Sequence, residues 1–203
     1  FILNGVTVQV DRDTEFDDGL REGQLSDGLF VKVEGEYRGG LLYAEEIESQ
    51  DGDAELEGVI DSVNLAESRM QVSGVTVAIS INTLIEDDDD DDARSRTQDL
   101  ESLAQGQYVE IEGRQRSDSS GSYLEAFKIE REDDDEDTFE VEGRVDEVTG
   151  DTLSIMGVVL NRGSVSLDGI SAGTAVEIGF EGSTGSYVIT DIEIEDVEDD
   201  SDD

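Results

Sequence analysis

Carboxylates are almost the only side chains in this sequence with chemistry to offer. Asp and Glu supply 55 of 203 residues against 13 Lys and Arg, a formal net charge of −42, and His, Cys, Trp and Pro are absent. General acid–base and nucleophilic catalysis usually rests on His, Cys or a serine with its base, and the first two do not occur here. Two carboxylates can hydrolyse a glycoside, but only as positioned, partly buried acids in a cleft. In this chain acids alternate along strands or crowd loops, which is the pattern of a solvated face. The sequence therefore predicts no catalytic residue, no cofactor-binding residue and no enzymatic activity.

Metal binding is the remaining chemistry. Calcium takes about six to eight oxygen ligands, and the densest local set is "DRDTEFDDG", with Asp11, Asp13, Glu15, Asp17 and Asp18 ahead of Gly19. This is not an EF-hand loop, because glycine is misplaced and the distal glutamate is missing. The run Asp87 to Asp92 is weaker still, since six consecutive carboxylates cannot all converge on one ion. Both read as solvated loops that collect counterions diffusely, so no metal ligand is assigned; a specific calcium site is the competing reading.

The charge also limits partners. Nucleic acid is bound by Lys and Arg displacing phosphate counterions, and anionic membranes attract polybasic segments; neither suits this chain. Only Lys32 and Lys128 are lysines, with eleven arginines beside them. Such a surface suits a saline or divalent-rich setting where counterions screen repulsion, or a soluble secreted domain of biased composition. Without Cys there is no disulfide or thiolate site. No apolar run approaches the roughly 20 residues that span a bilayer, and no signal peptide is recognisable. High charge with few aromatics also marks disorder, but "VTVQV", "FVKVEG", "YVEIEG" and "DIEIEDV" alternate as strands do.

The elements that carry these residues repeat. "ILNGVTVQV…SDGLFVKVEG…LLYAEEIES" aligns with "MQVSGVTVAI…AQGQYVEIEG…SYLEAFKIER" and with "LSIMGVVLNR…SAGTAVEIGF…SYVITDIEIE". Gly5, Gly74 and Gly157 fall at one turn, and Gly28, Gly106 and Gly173 precede the strands that start at Phe30, Tyr108 and Ala175. Ala44-x-x-Ile47, Ala126-x-x-Ile129 and Ile189-x-x-Ile192 place a three-residue step inside a period-two strand, which predicts a bulge. Repeats two and three begin with a further strand, Glu57 to Val63 and Glu142 to Val148, and repeat one, entering at Phe1, lacks it. Between the glycines of repeat two, Ser95 and Gln98 form a potential capping box, Leu100 and Leu103 share a face, and Gly106 ends a short helix.

This order predicts an all-β chain of three tandem, small, OB-like five-stranded β-barrels, with a short helix or turn before the fourth strand; a meandering sandwich is the alternative. The domains are 1–50, incomplete at its start; 55–131, with an acidic loop at 86–92; and 139–197, followed by an acidic tail at 198–203. The charged linkers "SQDGDA" and "EREDDDEDT" predict a string of modules rather than one globule. Each module is close to the ~60-residue size at which burial is marginal, so contacts between modules or with other chains are expected to add stability. An OB face binds oligonucleotides or sugars through aromatics and basic residues, but Phe30, Tyr108, Tyr123, Phe127, Phe139 and Phe180 lie mostly at strand positions suited to a core.

The pattern EG-x-V/I-D-x-V, then strand–Gly–strand, then L-x-x-G-x-x-V-E-V/I-x-G, then A-x-x-I-E resembles the domain of unknown function 5666 family. The resemblance implies tandem small β-barrels in exported or cell-surface bacterial proteins, with no established activity. Repeat two follows the pattern throughout, repeat three loses the alanine and the last glycine, and repeat one lacks the first strand. Together these features lead us to expect a non-enzymatic extracellular structural protein. Its modules would self-assemble into, or decorate, a cell-surface filament, in part by strand pairing between subunits. Its partner would be a protein, either another copy or another extracellular filament subunit, with no nucleic acid, no membrane insertion and only diffuse cation binding. The alternative is a soluble calcium- or ligand-binding module of a larger cell-surface protein.

Overall fold

Each repeat is organised by the same two-residue hairpin. In the computed structural model, which describes residues 1–16, 20, 23, 25, 29–49, 52–87, 100–132 and 138–195, Leu3 faces Val6, Val72 faces Val75 and Ile155 faces Val158. The turn residues Asn4-Gly5, Ser73-Gly74 and Met156-Gly157 all have positive φ, near 45–50° and then 80–85°. A two-residue turn of this kind matches the twist of its strands and favours Asn-Gly, so repeat one holds the least strained version. The serine and methionine of the other two occupy a region that non-glycine residues seldom enter.

The first unit, Phe1–Asp51, contains β1 (Ile2–Leu3), β2 (Val6–Gln9), β3 (Glu15–Phe16), β4 (Val31–Arg38) and β5 (Leu41–Ser49). Its pairing path runs β1–β2–β5, with both β3 and β4 on β5. The second unit, Gly52–Asp203, holds β6 (Ala54–Asn64), β7 (Arg69–Val72), β8 (Val75–Ala78), β9 (Leu84–Asp87), β10 (Tyr108–Asp118) and β11 (Gly121–Glu132). It continues with β12 (Thr138–Thr149), β13 (Thr152–Ile155), β14 (Val158–Asn161), β15 (Ala175–Glu181) and β16 (Tyr187–Ile194). The protein is all-β. In the second unit, hydrogen-bonded neighbours form two closed circuits: β6–β7–β8–β11–β10 returns to β6, and β12–β13–β14–β16–β15 returns to β12.

The expected bulge is present in every repeat and at the same place. The register between the last two strands shifts between Glu34 and Gly35, between Glu112 and Gly113, and between Gly179 and Phe180. Glu45, Phe127 and Thr190 are the extra residues, inside the three-residue steps seen in the sequence. The helix anticipated before the fourth strand is a single turn at 100–102; Ser95 and Gln98, its proposed cap, lie outside the described residues.

Repeats two and three are not beads on a string. β6 pairs with β10 on one side and, through Glu55, Leu56 and Glu57, with Glu142, Val141 and Glu140 of β12 on the other. One buried cluster runs through both circuits, including Leu56, Ile60, Val72, Ile111, Val141, Val145, Ile155 and Phe180. Gln115 of β10 joins them further: its Nε2 donates to Arg144 O (2.8 Å) and Asp146 Oδ1 (2.9 Å), and its Oε1 accepts from Arg144 N (2.8 Å). The charged linker does not prevent this union, because the apolar faces of two marginal modules bury more surface when shared. The domains expected at 55–131 and 139–197 therefore lie within one compact unit.

The EG-x-V/I-D-x-V motif serves to dock the hairpin. Asp61 Oδ2 accepts from Gly74 N (2.9 Å), and Asp146 Oδ2 accepts from Gly157 N (3.1 Å). Both aspartates are skipped residues in the register of their strands. The motif glycine makes room for the turn: a Cβ on Gly58 would sit 2.4 Å from Ser73 Oγ, and one on Gly143 would sit 2.9 Å from the Met156 methyl. Ser73 Oγ also accepts from Val59 N at 3.0 Å. Gly58→Ala should therefore displace the hairpin and cost about 1–3 kcal/mol. In a thermal melt that is a loss of about 2–4 °C per kcal/mol for a unit of this size; an unchanged midpoint would mean that the hairpin yields freely.

Candidate functional site: a carboxylate band

The cluster singled out near the start resolves into a turn. Asp11 Oδ1 accepts from Asp13 N (2.9 Å), Asp11 N donates to Thr14 Oγ1 (3.0 Å), and Thr14 Oγ1 donates to Ala44 O (2.9 Å). Repeat two builds the same turn from Ser80, Asn82 and Thr83, with Thr83 Oγ1 donating to Ala126 O. The same positions thus do structural work with and without a carboxylate. Asp17 and Asp18, and most of the run Asp87 to Asp92, lie outside the described residues.

Carboxylates do gather on the outward face of the second unit. The registers line up Glu130, Glu110, Glu57, Glu140 and Asp191 in one row across β11, β10, β6, β12, β15 and β16, with Gly179 at the β15 position. The adjacent row reads Lys128, Glu112, Glu55, Glu142, Glu177 and Glu193. Alternation creates this band: Leu56, Ile111, Val141 and Ile178 point inward between the glutamates and are fully buried. Lys128 is the one cation in the two rows, 3.1 Å from Glu112 and 3.5 Å from Glu130. Among the described residues, Glu110, Glu130 and Glu132 bring carboxylate oxygens within 4.8 Å of one another.

Crowding and burial move protons. Partial burial first, then the charges of Glu110, Glu142, Glu57 and Glu112, push Glu55 up to about 7. Glu110, Glu140 and Glu142 are also raised, each mainly by burial and then by neighbouring glutamates. Sequence alone gave the alternation but not the side-by-side placement of β6 and β12, which doubles the width of the band.

The aromatics expected in the core are largely there. Phe180, Tyr108 and Phe127 are buried, and Phe139 and Tyr187 pack edge-on against Phe180. Arg69 lies over Tyr123, 4.6 Å from the ring centroid.

The first unit carries a different feature. Among the described residues, β4 pairs with β5 alone and β1 with β2 alone. The equivalent strands of the other repeats each have a second neighbour: β10 and β7 flank β6, and β15 and β13 flank β12. Apolar side chains register the difference. Phe1 is 43% exposed, whereas its equivalents Met70 and Leu153 are 1% and 0%; Val6 is 37% exposed, whereas Val75 and Val158 are 0% and 4%. No pairing partner among the described residues takes the place of β6 or β12 in this unit.

All-β repeats built from one hairpin and one bulge, the last two joined by a shared strand, define a class of small β-repeat protein. The chain belongs to the family described as Domain of unknown function (DUF5666), which matches residues 1–48 and 57–124. No curated protein and no solved structure matches the chain. Residues 139–195, beyond the matched stretches, repeat the hairpin, the bulge and the aspartate-to-glycine hydrogen bond.

Proposed function

We propose that this protein is a non-enzymatic structural module of the cell exterior that assembles with other copies or with another filament subunit by strand pairing. The observation that carries this reading is the pairing of β6 with β12, by which neighbouring repeats already join strand to strand. Exposed strand edges template pairing with another chain, and strand addition is a recurrent mode of protein recognition. The closed pairing circuits support an OB-like barrel as the module, and the absence of His and Cys supports a role without catalysis. A strongly acidic, lysine-poor surface suits a protein exposed to salt, where counterions limit self-repulsion.

The test is the size distribution of the intact chain by light scattering and electron microscopy over a range of concentrations. Concentration-dependent assemblies or filaments are expected. A monomer at every concentration would overturn the reading. A second reading, a cation-collecting module, is favoured by the carboxylate band. Calorimetry distinguishes it: saturable calcium binding to the monomer supports it, and heats no different from those of added sodium chloride sink it.

A further inference from the structure

We propose that the outer edge of β16, in the third repeat, takes an extended segment of a different polypeptide laid parallel to it. The segment carries cations on the outward face and apolar residues between them. This rests on the strand-pairing reading and decides, at this edge, between its two partners.

The other two repeats show what the edge is built to hold. In repeat two β9 runs parallel to β11, with Leu84 to Asp87 opposite Lys128 to Arg131; in repeat one β3 sets Glu15 and Phe16 beside Glu46 and Ile47. Counting from the common bulge, the matching residues of β16 are Asp191 to Ile194. Among the described residues, β14 reaches only Tyr187 and Val188 of β16, and no strand lies beyond them on that side. The cause is an internal connection. One turn precedes the flanking segment in all three repeats: the amide of Thr14 donates to Asp11 O, that of Thr83 to Ser80 O and that of Val165 to Arg162 O. The Thr14 and Thr83 hydroxyls then hold the last strand at Ala44 O and Ala126 O, and β3 and β9 start at the next residue. Val165 has no hydroxyl to donate. After it the chain enters a turn in which the Ile170 amide donates to Leu167 O, instead of continuing as a strand.

Charge selects the occupant. Asp191 and Glu193 end the two outward rows of the band, and Lys128, the one cation in those rows, lies at the far end on β11. Ile192 packs against the core, and Ile194, on the same side of the strand, is 53% exposed. The edge thus alternates carboxylate with isoleucine. Opposite charges across a strand pair stabilise it and like charges destabilise it. β3 and β9 tolerate glutamate opposite glutamate, at Glu15–Glu46 and Glu86–Glu130, because the chain itself tethers them at high effective concentration. A separate polypeptide has no tether and needs the favourable charge.

A second copy is a poor match. Its cations stand two residues apart only at Arg94-Ser95-Arg96 and Arg114-Gln115-Arg116. The first pair follows six aspartates, and the second is committed to β10, where Arg116 pairs with Glu125 at 3.0 Å. The stretch that follows β16, Glu195 to Asp203, holds no cation. Strand addition to an exposed edge, with alternate side chains giving specificity, therefore calls for a basic partner.

The experiment adds a synthetic peptide of alternating valine and lysine to the intact chain, and compares it with a peptide of the same composition whose lysines are grouped. Affinity and hydrogen–deuterium exchange are followed together. Saturable binding of the alternating peptide is expected, with exchange slowed in residues 191–195 and affinity at least tenfold above that of the grouped peptide. Ile194→Asp and Glu193→Lys, both at exposed positions, should each weaken binding about tenfold while leaving the circular dichroism spectrum unchanged. Equal affinity for the two peptides, or protection spread along the band, would signal diffuse attraction and overturns the proposal. If the chain forms filaments alone and the alternating peptide leaves β16 unprotected, this inference fails and the assembly reading survives on another edge. Order-dependent binding at β16 by a chain that stays monomeric at every concentration upholds this inference and removes self-assembly.

Discussion

Lowering the pH from about 8 to about 6 should raise the thermal midpoint of this protein, the reverse of simple acid denaturation. The sign follows from the carboxylate band. Glu55 is pushed up to about 7 in the folded state from a model-compound value of 4.5, and Glu110, Glu140 and Glu142 move in the same direction. Across the interval between about 4.5 and 7 the folded state binds more protons than the unfolded chain, so stability falls as pH rises and returns as pH falls. The charges that face Glu55 come from every strand beside it: Glu110 and Glu112 on β10, Glu142 on β12 and Glu57 on β6 itself, with Lys128 the nearest cation in the same row.

These glutamates are partly exposed, so solvent screening reduces the effect. Even one kcal/mol corresponds to a rise of about 2–4 °C for a unit of this size. Differential scanning calorimetry at constant ionic strength provides the measurement. Glu55→Gln, which fixes the uncharged form, should raise the midpoint at pH 8 and flatten the slope. A midpoint that is level or falls from pH 8 to pH 6 contradicts the band as described.

The second large effect is expected at Leu56. This side chain is fully buried near the start of β6, opposite Ile111 of β10 on one side and Val141 of β12 on the other. Removing a buried leucine side chain costs about 2–5 kcal/mol through lost transfer energy and the cavity left behind. A cavity at this place touches both circuits at once. Leu56→Ala should therefore lower the stability of repeats two and three together, with near-ultraviolet signals from Tyr108 and from Tyr187 moving in one transition. Two separated transitions in the variant, one tyrosine lost well before the other, would show that the circuits fold independently.

The sequence made the local devices legible because each uses residues with distinctive backbone or hydrogen-bonding demands. Asn4-Gly5 announces a two-residue turn, and Ala126-x-x-Ile129 announces an added residue within a strand. The roles of Asp61 and Asp146 were less accessible, because their acceptor function depends on a turn more than ten residues away folding back over the strand. The pairing of β6 with β12 gives no local sign at all. Glu55 and Glu57 lie beside Glu142 and Glu140, and like charges argue against such neighbours; only the fully buried Leu56 and Val141 between them account for the match. The acidic cluster at Asp11 contains a turn in which the Asp11 carboxylate accepts from the Asp13 amide and Thr14 donates to Ala44 O, a use of these residues that composition does not announce.

The strand shared by two circuits also bears on how such a chain can be lengthened or shortened. Tandem repeats are commonly treated as interchangeable segments, cut and spliced at the charged links between them. Here β6 lies at the start of one repeat and forms an outer neighbour of the next, so a splice that removes either repeat exposes a strand flank that its former neighbour had covered. The length of chain that recurs and the length that must be inherited intact are different, and recombination that respects the first will break the second.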